Sequence, residues 1–162
     1  MKLRLLAVFA FLSVLAAAFA GWSWWRAAAD ESYARGRERD AVLAAAGPYL
    51  VTLNTIDYRT AAADVDRWIA ATTGQYFKDL SGDRQLQIDR AAASRTVSSA
   101  SLVQAAVTEV DPARGSARLL AVLDVRVSTG GAPPSARLNR LTVDVSRSPD
   151  GWKISGVQAA GS

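Results

Sequence analysis

The stretch "LNTIDYRTAAADVDRW", Leu53 to Trp68, sets an acid, a phenol, a guanidinium and a hydroxyl side by side at Asp57, Tyr58, Arg59 and Thr60. Such groups could do chemistry. Asp57 could abstract a proton and Tyr58 could donate a hydrogen bond to the oxyanion that forms. Helical geometry argues against it, because adjacent residues point about 100° apart and would not converge on one atom. The structural reading fits better. Asp57 and Arg59 sit at a corner between two helices and satisfy exposed backbone groups, and Thr60 caps the helix that follows. Tyr58 buries its ring and offers its hydroxyl.

The rest of the 162 residues supplies few reactive groups. There is no cysteine and no histidine, which removes disulfides, thiolate nucleophiles and the commonest general base and zinc ligand. Asp64 lies beside the apolar face of its segment and Asp66 opposite it, so both are expected in solvent and neither in a metal site. Trp68 and Trp152 could line an apolar pocket, but packing into a core is the plainer account. "GDRQLQ" lacks the glycines of a phosphate loop. No enzyme activity, metal or cofactor is expected.

Charge excludes a further class. The pI is about 9.8, but Lys2 and Arg4 belong to the N-terminal tip. The dense basic run "ARGRERD" has Glu38 and Asp40 interleaved, which describes a solvated helix face and not a phosphate-binding stripe. A nucleic-acid partner is therefore not expected.

Helical spacing positions the polar corner. "RAAADESYARGRERDAVLAAA" is rich in Ala, Arg and Glu and reads as a helical stalk. Gly47-Pro48 is expected to break or kink it. Tyr49, Leu50, Leu53 and Ile56 then recur at helical spacing. After the Thr60 cap, Ala61, Val65, Trp68, Ile69 and Thr72 share one face, and Gly74 is placed to end that helix. "QYFKDL" forms a short piece, and a further helix covers about Asp83 to Arg95.

The period then changes from helical to alternating. "VSSASLVQAAVTEV" reads as a strand, and "DPARG" as a turn. In "SARLLAVLDVRVS", Ala117, Leu119, Ala121, Leu123, Val125 and Val127 face one way. Arg118, Asp124 and Arg126 face the other, interrupted by Leu120 and Val122, so that second face is expected to be partly covered. After the loop "GGAPPSA", Leu141, Val143 and Val145 point inward. "SPDG" turns the chain, and "WKISGVQ" closes it with Trp152 and Ile154 on one face. Helices followed by a meander of about four antiparallel strands make an α+β layout. A curved sheet wrapped on helices is the cone of the nuclear-transport-factor-2-like superfold.

The N-terminus reads as a membrane segment. From Leu5 to Trp25 there are 21 positions without charge, roughly 31 Å of helix and the thickness of a bilayer core. Lys2 and Arg4 precede it and keep the N-terminus in the cytoplasm, while Trp22, Trp24 and Trp25 suit the far interface. The rival is a signal peptide cleaved after Ala20, since Ala18-Phe19-Ala20 fits the small-x-small pattern. With an anchor the organisation is 1–26 a cytoplasmic tip and transmembrane signal-anchor, 27–47 a stalk, and 48–162 an extracytoplasmic α+β domain.

"TLNTIDYRTAAADVDRWIAATTGQYFKDL" and the closing "DGWKISGV", behind a membrane helix, resemble the actinobacterial Mce-associated membrane proteins. The resemblance spans nearly the whole chain. It implies a single-pass accessory or scaffold protein of an Mce-type lipid-import system in the plasma membrane. Its partners would be the bilayer and Mce transporter subunits or related envelope proteins. The family brings no catalytic residue to carry over. Two alternatives stay open: a cone that binds a small apolar or lipid ligand, and a scaffold of a secretion or conjugation machine.

Overall fold

A computed structural model describes the backbone of residues 2–160 and the side chains of residues 17–26, 33 and 36–160. Lys2 and Arg4, expected to fix membrane orientation, lie outside the described side chains, as does much of the uncharged run. Among the described residues no helix is long and apolar enough to cross a membrane. Trp22, Trp24 and Trp25 are exposed, and the Trp22 and Trp25 rings meet edge to face at 6.5 Å. The chain divides into two units, Met1–Arg37 and Glu38–Ser162.

Helix α1 runs Lys2–Leu53 without interruption, with Pro48 inside it. The break expected at Gly47-Pro48 does not occur, and the boundary expected at 48 falls within the helix. Val42, Ala46 and Leu50 form a fully buried stripe four residues apart, so the core of the second unit begins before 48. Pro48 and Ala44, whose carbonyl the missing N–H would have bonded, are both exposed, so water can satisfy that carbonyl. Gly47 is on the buried side. A Cβ there would come within 3.2 Å of Leu102 Cδ2, so the glycine lets the helix approach the sheet. The pair is a packing device, not a stop signal.

The sheet is an antiparallel meander ordered β1 to β5: Ile56–Asp57, Val97–Asp111, Ser116–Ser128, Ser135–Ser148 and Gly151–Ala159. The four long strands are those expected from alternation. The fifth, β1, is a two-residue edge pairing Ile56 with Ser98 and Asp57 with Val97, where helical spacing and a helix corner had been read. Leu119, Leu123, Val143, Val145 and Ile154 are fully buried and pack with the α1 stripe, Trp152 and three smaller β3 residues, Ala117, Ala121 and Val125. The Gly115 turn lies close against β4, since its carbonyl accepts the Arg147 N–H at 2.7 Å.

The other sheet face is not covered as expected. Leu120 is 46% exposed and Leu138 is 58% exposed. Their strands alternate correctly, and Val122 on the same side is half-buried.

Helices α2, Ala61–Ala70, α3, Gly74–Gly82, and α4, Arg84–Ser94, precede the long strands. Gly74 opens α3 with φ of +65° and does not terminate α2, which closes at Ala71. A second apolar cluster joins Ile56, Ala61, Val65 and Ala91 with Tyr58, Trp68, Ile69 and Ile88. The segment after α2 bridges the outer edge of β5 at one residue: Ile154 N–H donates to the Ala71 carbonyl at 3.1 Å, and Thr73 N–H to the Ile154 carbonyl at 2.9 Å.

Candidate functional site

The polar corner forms where α1 ends, β1 pairs with β2, and α2 begins. Asp57 Oδ1 accepts the Arg59 main-chain N–H at 2.9 Å, and Oδ2 lies 3.4 Å from Arg59 Nη1. This is a local side-chain turn that holds the corner. The Arg59 guanidinium lies over the Tyr58 ring, 5.0 Å from its centroid. Tyr58 N–H donates to the Thr96 carbonyl at 3.0 Å, tying the corner to the start of the sheet. The Tyr58 side chain is half-buried. Among the described residues its hydroxyl makes no hydrogen bond, so the bond expected of it is not formed.

Asp64 is the centre of the corner, and the sequence reading misjudged it. It is 2% exposed, not solvated. Its Oδ2 accepts the Asp57 N–H at 2.8 Å and the Thr60 hydroxyl at 3.0 Å, and its Oδ1 accepts from the Arg67 guanidinium. A carboxylate out of water persists because each oxygen has donors. Thr60 holds the N-cap position of α2, but its hydroxyl makes no cap bond to a backbone N–H. The Asp64 carboxylate draws it instead, since a charged acceptor makes the stronger bond. The spacing Thr60, Asp64, Arg67 was the available signal, because residues three and four apart share a helix face.

Trp68 flanks the corner, half-buried, with its indole N–H on the Thr55 carbonyl at 3.0 Å. Asp66 is exposed as expected and forms a two-point pair with Arg84 at 2.7 and 2.9 Å, joining α2 to α4. The Arg84 hydrogen bonds hold the Asp66 carboxyl below its ordinary range.

Trp152 sits apart from the corner, in the sheet core. The Arg147 guanidinium covers its ring at 5.0 Å and also pairs with Glu38 of α1. Trp152, Asp57 and Tyr58 are thus not brought together. The interior of the cone is filled by Leu50, Leu119, Leu123 and Ile154, where an apolar ligand would have to sit. Clefts lie on the surface, such as one of about 240 Å³ lined by Glu109, Arg118, Asp144, Ser146 and Ser155. Among the described residues no three His, Cys, Asp or Glu side chains stand together as a metal site requires. The Asp57 and Asp64 carboxylates spend their oxygens on donors within the corner, which is what a brace does.

A family profile described as "Uncharacterized protein Rv1363c/MT1408-like" matches residues 3–160. The chain belongs to the Rv1363c/MT1408-like family. No curated protein matches this member's sequence. Solved structures share its fold. The periplasmic domain of DotI is 19% identical with a TM-score of 0.62, over 76% of this chain and 95% of that one. An IcmL-like type IV secretion system protein from Legionella pneumophila is 11% identical with a TM-score of 0.61, over 75% and 91%. VirB8 from Agrobacterium tumefaciens is 15% identical with a TM-score of 0.54, over 76% and 92%. This Rv1363c/MT1408-like chain therefore shares the α+β fold of these solved domains, helices with an antiparallel sheet.

Proposed function

We propose that this protein is a non-catalytic scaffold subunit of an envelope transport machine, of the secretion or conjugation type. The observation that carries the reading is an interior filled by apolar side chains, on a fold shared with DotI and VirB8. Fold alone implies no function, so the filled interior matters more than the likeness. The uncharged run Leu5–Trp25 serves as a single-pass anchor with the N-terminus in the cytoplasm and the domain outside the plasma membrane. Anchoring keeps the domain at high local concentration beside other membrane subunits, so weak contacts suffice.

A second reading gives the same scaffold to an Mce-type lipid importer. The segment from Asp57 to Thr60 and the closing "DGWKISGV" favour it. Cross-linking in intact cells, detergent solubilisation and mass spectrometry of the captured partners separate the two. Secretion-machine subunits support the first reading and Mce subunits the second. Recovery of the domain as a free soluble form beginning at Gly21, without envelope partners, would overturn both.

A further inference from the structure

On the sheet face turned away from the core, charge is sorted along the strands. Leu120 marks the middle, in register with Ala106 of β2 and Thr142 of β4. On one side of it Glu109, Arg118 and Asp144 form a row across three strands, with Asp111 beyond. Arg118 pairs with Asp144 at 2.8 Å and Arg114 of the turn with Asp111 at 3.6 Å, so this end carries one acid in excess. On the other side of Leu120 stand Arg140, Asp124 and Arg126. Arg126 lies 3.9 Å from Asp124, so that end carries one base in excess. Leu120, Leu138 and Arg140 are exposed.

The two ends fit each other. The acidic end holds a cleft of about 240 Å³, lined by Glu109, Asp111, Arg118 and Asp144 among others, with room for a guanidinium. Arg140 and Asp144 stand two residues to either side of Thr142 on β4. A twofold axis crossing the strands through Leu120 and Thr142 therefore lays Arg140 of one copy over Asp144 of the other, and does so twice. It also sets Leu120 against Leu120. An axis along the strands fails, because it sets Arg118 on Arg118 and Glu109 on Asp144, and like charges placed together are costly. A contact between identical copies requires one patch whose halves match under a twofold, and a patch made for a different partner carries no such requirement.

We propose that two copies of this chain pack sheet face to sheet face, with Leu120 at the axis and Arg140 of each copy seated in the acidic cleft of the other. Sheets packed this way lie about 10 Å apart with strands within about 30° of each other. Ala106, Leu120 and Val122 lose water at the centre, and the charges at the two ends fix the orientation. The face is four strands wide at about 5 Å each and roughly 33 Å long from Ser116 to Arg126. That is small for a dimer, so the association is weak, with a Kd of about 1–100 µM. The inference does not rest on the scaffold reading and holds whichever machine the subunit serves.

The test is sedimentation of the full chain in detergent across that concentration range, together with site-specific cross-linking. The wild-type chain should pass from monomer to dimer. Arg140→Glu and Asp144→Arg should each weaken the dimer by about tenfold or more, and the double variant, which restores opposite charges across the axis, should recover most of the loss. Leu120→Arg should abolish the dimer. Thermal melts at the wild-type midpoint show that these exposed substitutions leave the fold intact. The chain has no cysteine, so Leu120→Cys provides a single thiol at the axis. A short bis-maleimide should join two such chains, and should not join chains carrying Leu86→Cys, an exposed position on α4. A chain that stays monomeric overturns the proposal. So does a dimer that survives Leu120→Arg, which would place the association in the N-terminal helix, or a double variant no better than either single one.

Discussion

The main-chain N–H of Asp57 donates to the buried carboxylate of Asp64 at 2.8 Å, so the first turn of α2 is bolted to the short strand β1. Thr60 and Arg67 bind the same carboxylate. Asp64→Ala leaves the Asp57 N–H and the Thr60 hydroxyl without their acceptor and should cost about 2–4 kcal/mol. Asp57→Asn keeps an acceptor for the Arg59 N–H and should cost less than about 1 kcal/mol. Urea melts of the two variants check the order. An Asp57→Asn variant of full stability that abolished cellular function would return the corner to the candidates for chemistry.

Pro48 gives an effect of opposite sign. Proline inside a helix is less favourable than alanine by about 3 kcal/mol, part of which its stiff unfolded chain returns. Pro48 faces solvent and nothing in the core depends on its ring. Pro48→Ala should therefore raise stability by about 1–2 kcal/mol, read as a higher denaturation midpoint with an unchanged slope. A loss of stability would mean that the ring shapes α1 where it meets the sheet.

Acid should loosen the contact between α2 and α4. The Asp66 carboxyl is held below its ordinary range by Arg84. A depressed carboxyl contributes stability above its unfolded value of about 4, and that contribution is lost as pH falls through the lower folded value. Asp66→Asn should flatten stability against pH in that window while leaving the neutral-pH value nearly unchanged, because the pair is exposed. Chemical melts from pH 2 to pH 7 test this. A wild-type curve that matches the variant throughout would remove the pair from any role.

Trp152 and its cover make a graded series. Trp152→Ala empties a core position and should cost about 3–5 kcal/mol. Arg147→Ala removes the guanidinium from the ring and from Glu38, and should cost about 1 kcal/mol. Arg147→Lys should recover little of it, since an ammonium does not stack as a planar guanidinium does. Tryptophan fluorescence during unfolding reports the series.

The sheet was legible because alternation is written residue by residue. Leu119, Ala121 and Leu123 can only be buried together by a strand, and each of them is buried. Pro48 misled because a helix tolerates proline where the freed carbonyl meets water, and exposure is a tertiary property. β1 was hidden because two residues, Ile56 and Asp57, carry no period. Asp64 was hidden for a different reason. A carboxylate can be buried only when its donors converge, and one of them, the Asp57 N–H, belongs to the backbone and leaves no mark in the sequence. The open outer face around Leu120 depends on what the rest of the chain fails to reach, which no local pattern records.

The α1 stripe has a consequence for the order of assembly. Val42, Ala46 and Leu50 are synthesised early, yet the surfaces that bury them come from Leu119 through Ile154. Contacts this distant along the chain close late and slowly. The four long strands can pair one after another as neighbouring hairpins, but the helix must wait, apolar side outward, until the final strand leaves the ribosome. During that interval the stripe is the surface a holding chaperone would recognise, and a chain stopped short of Ile154 would keep it uncovered and be cleared.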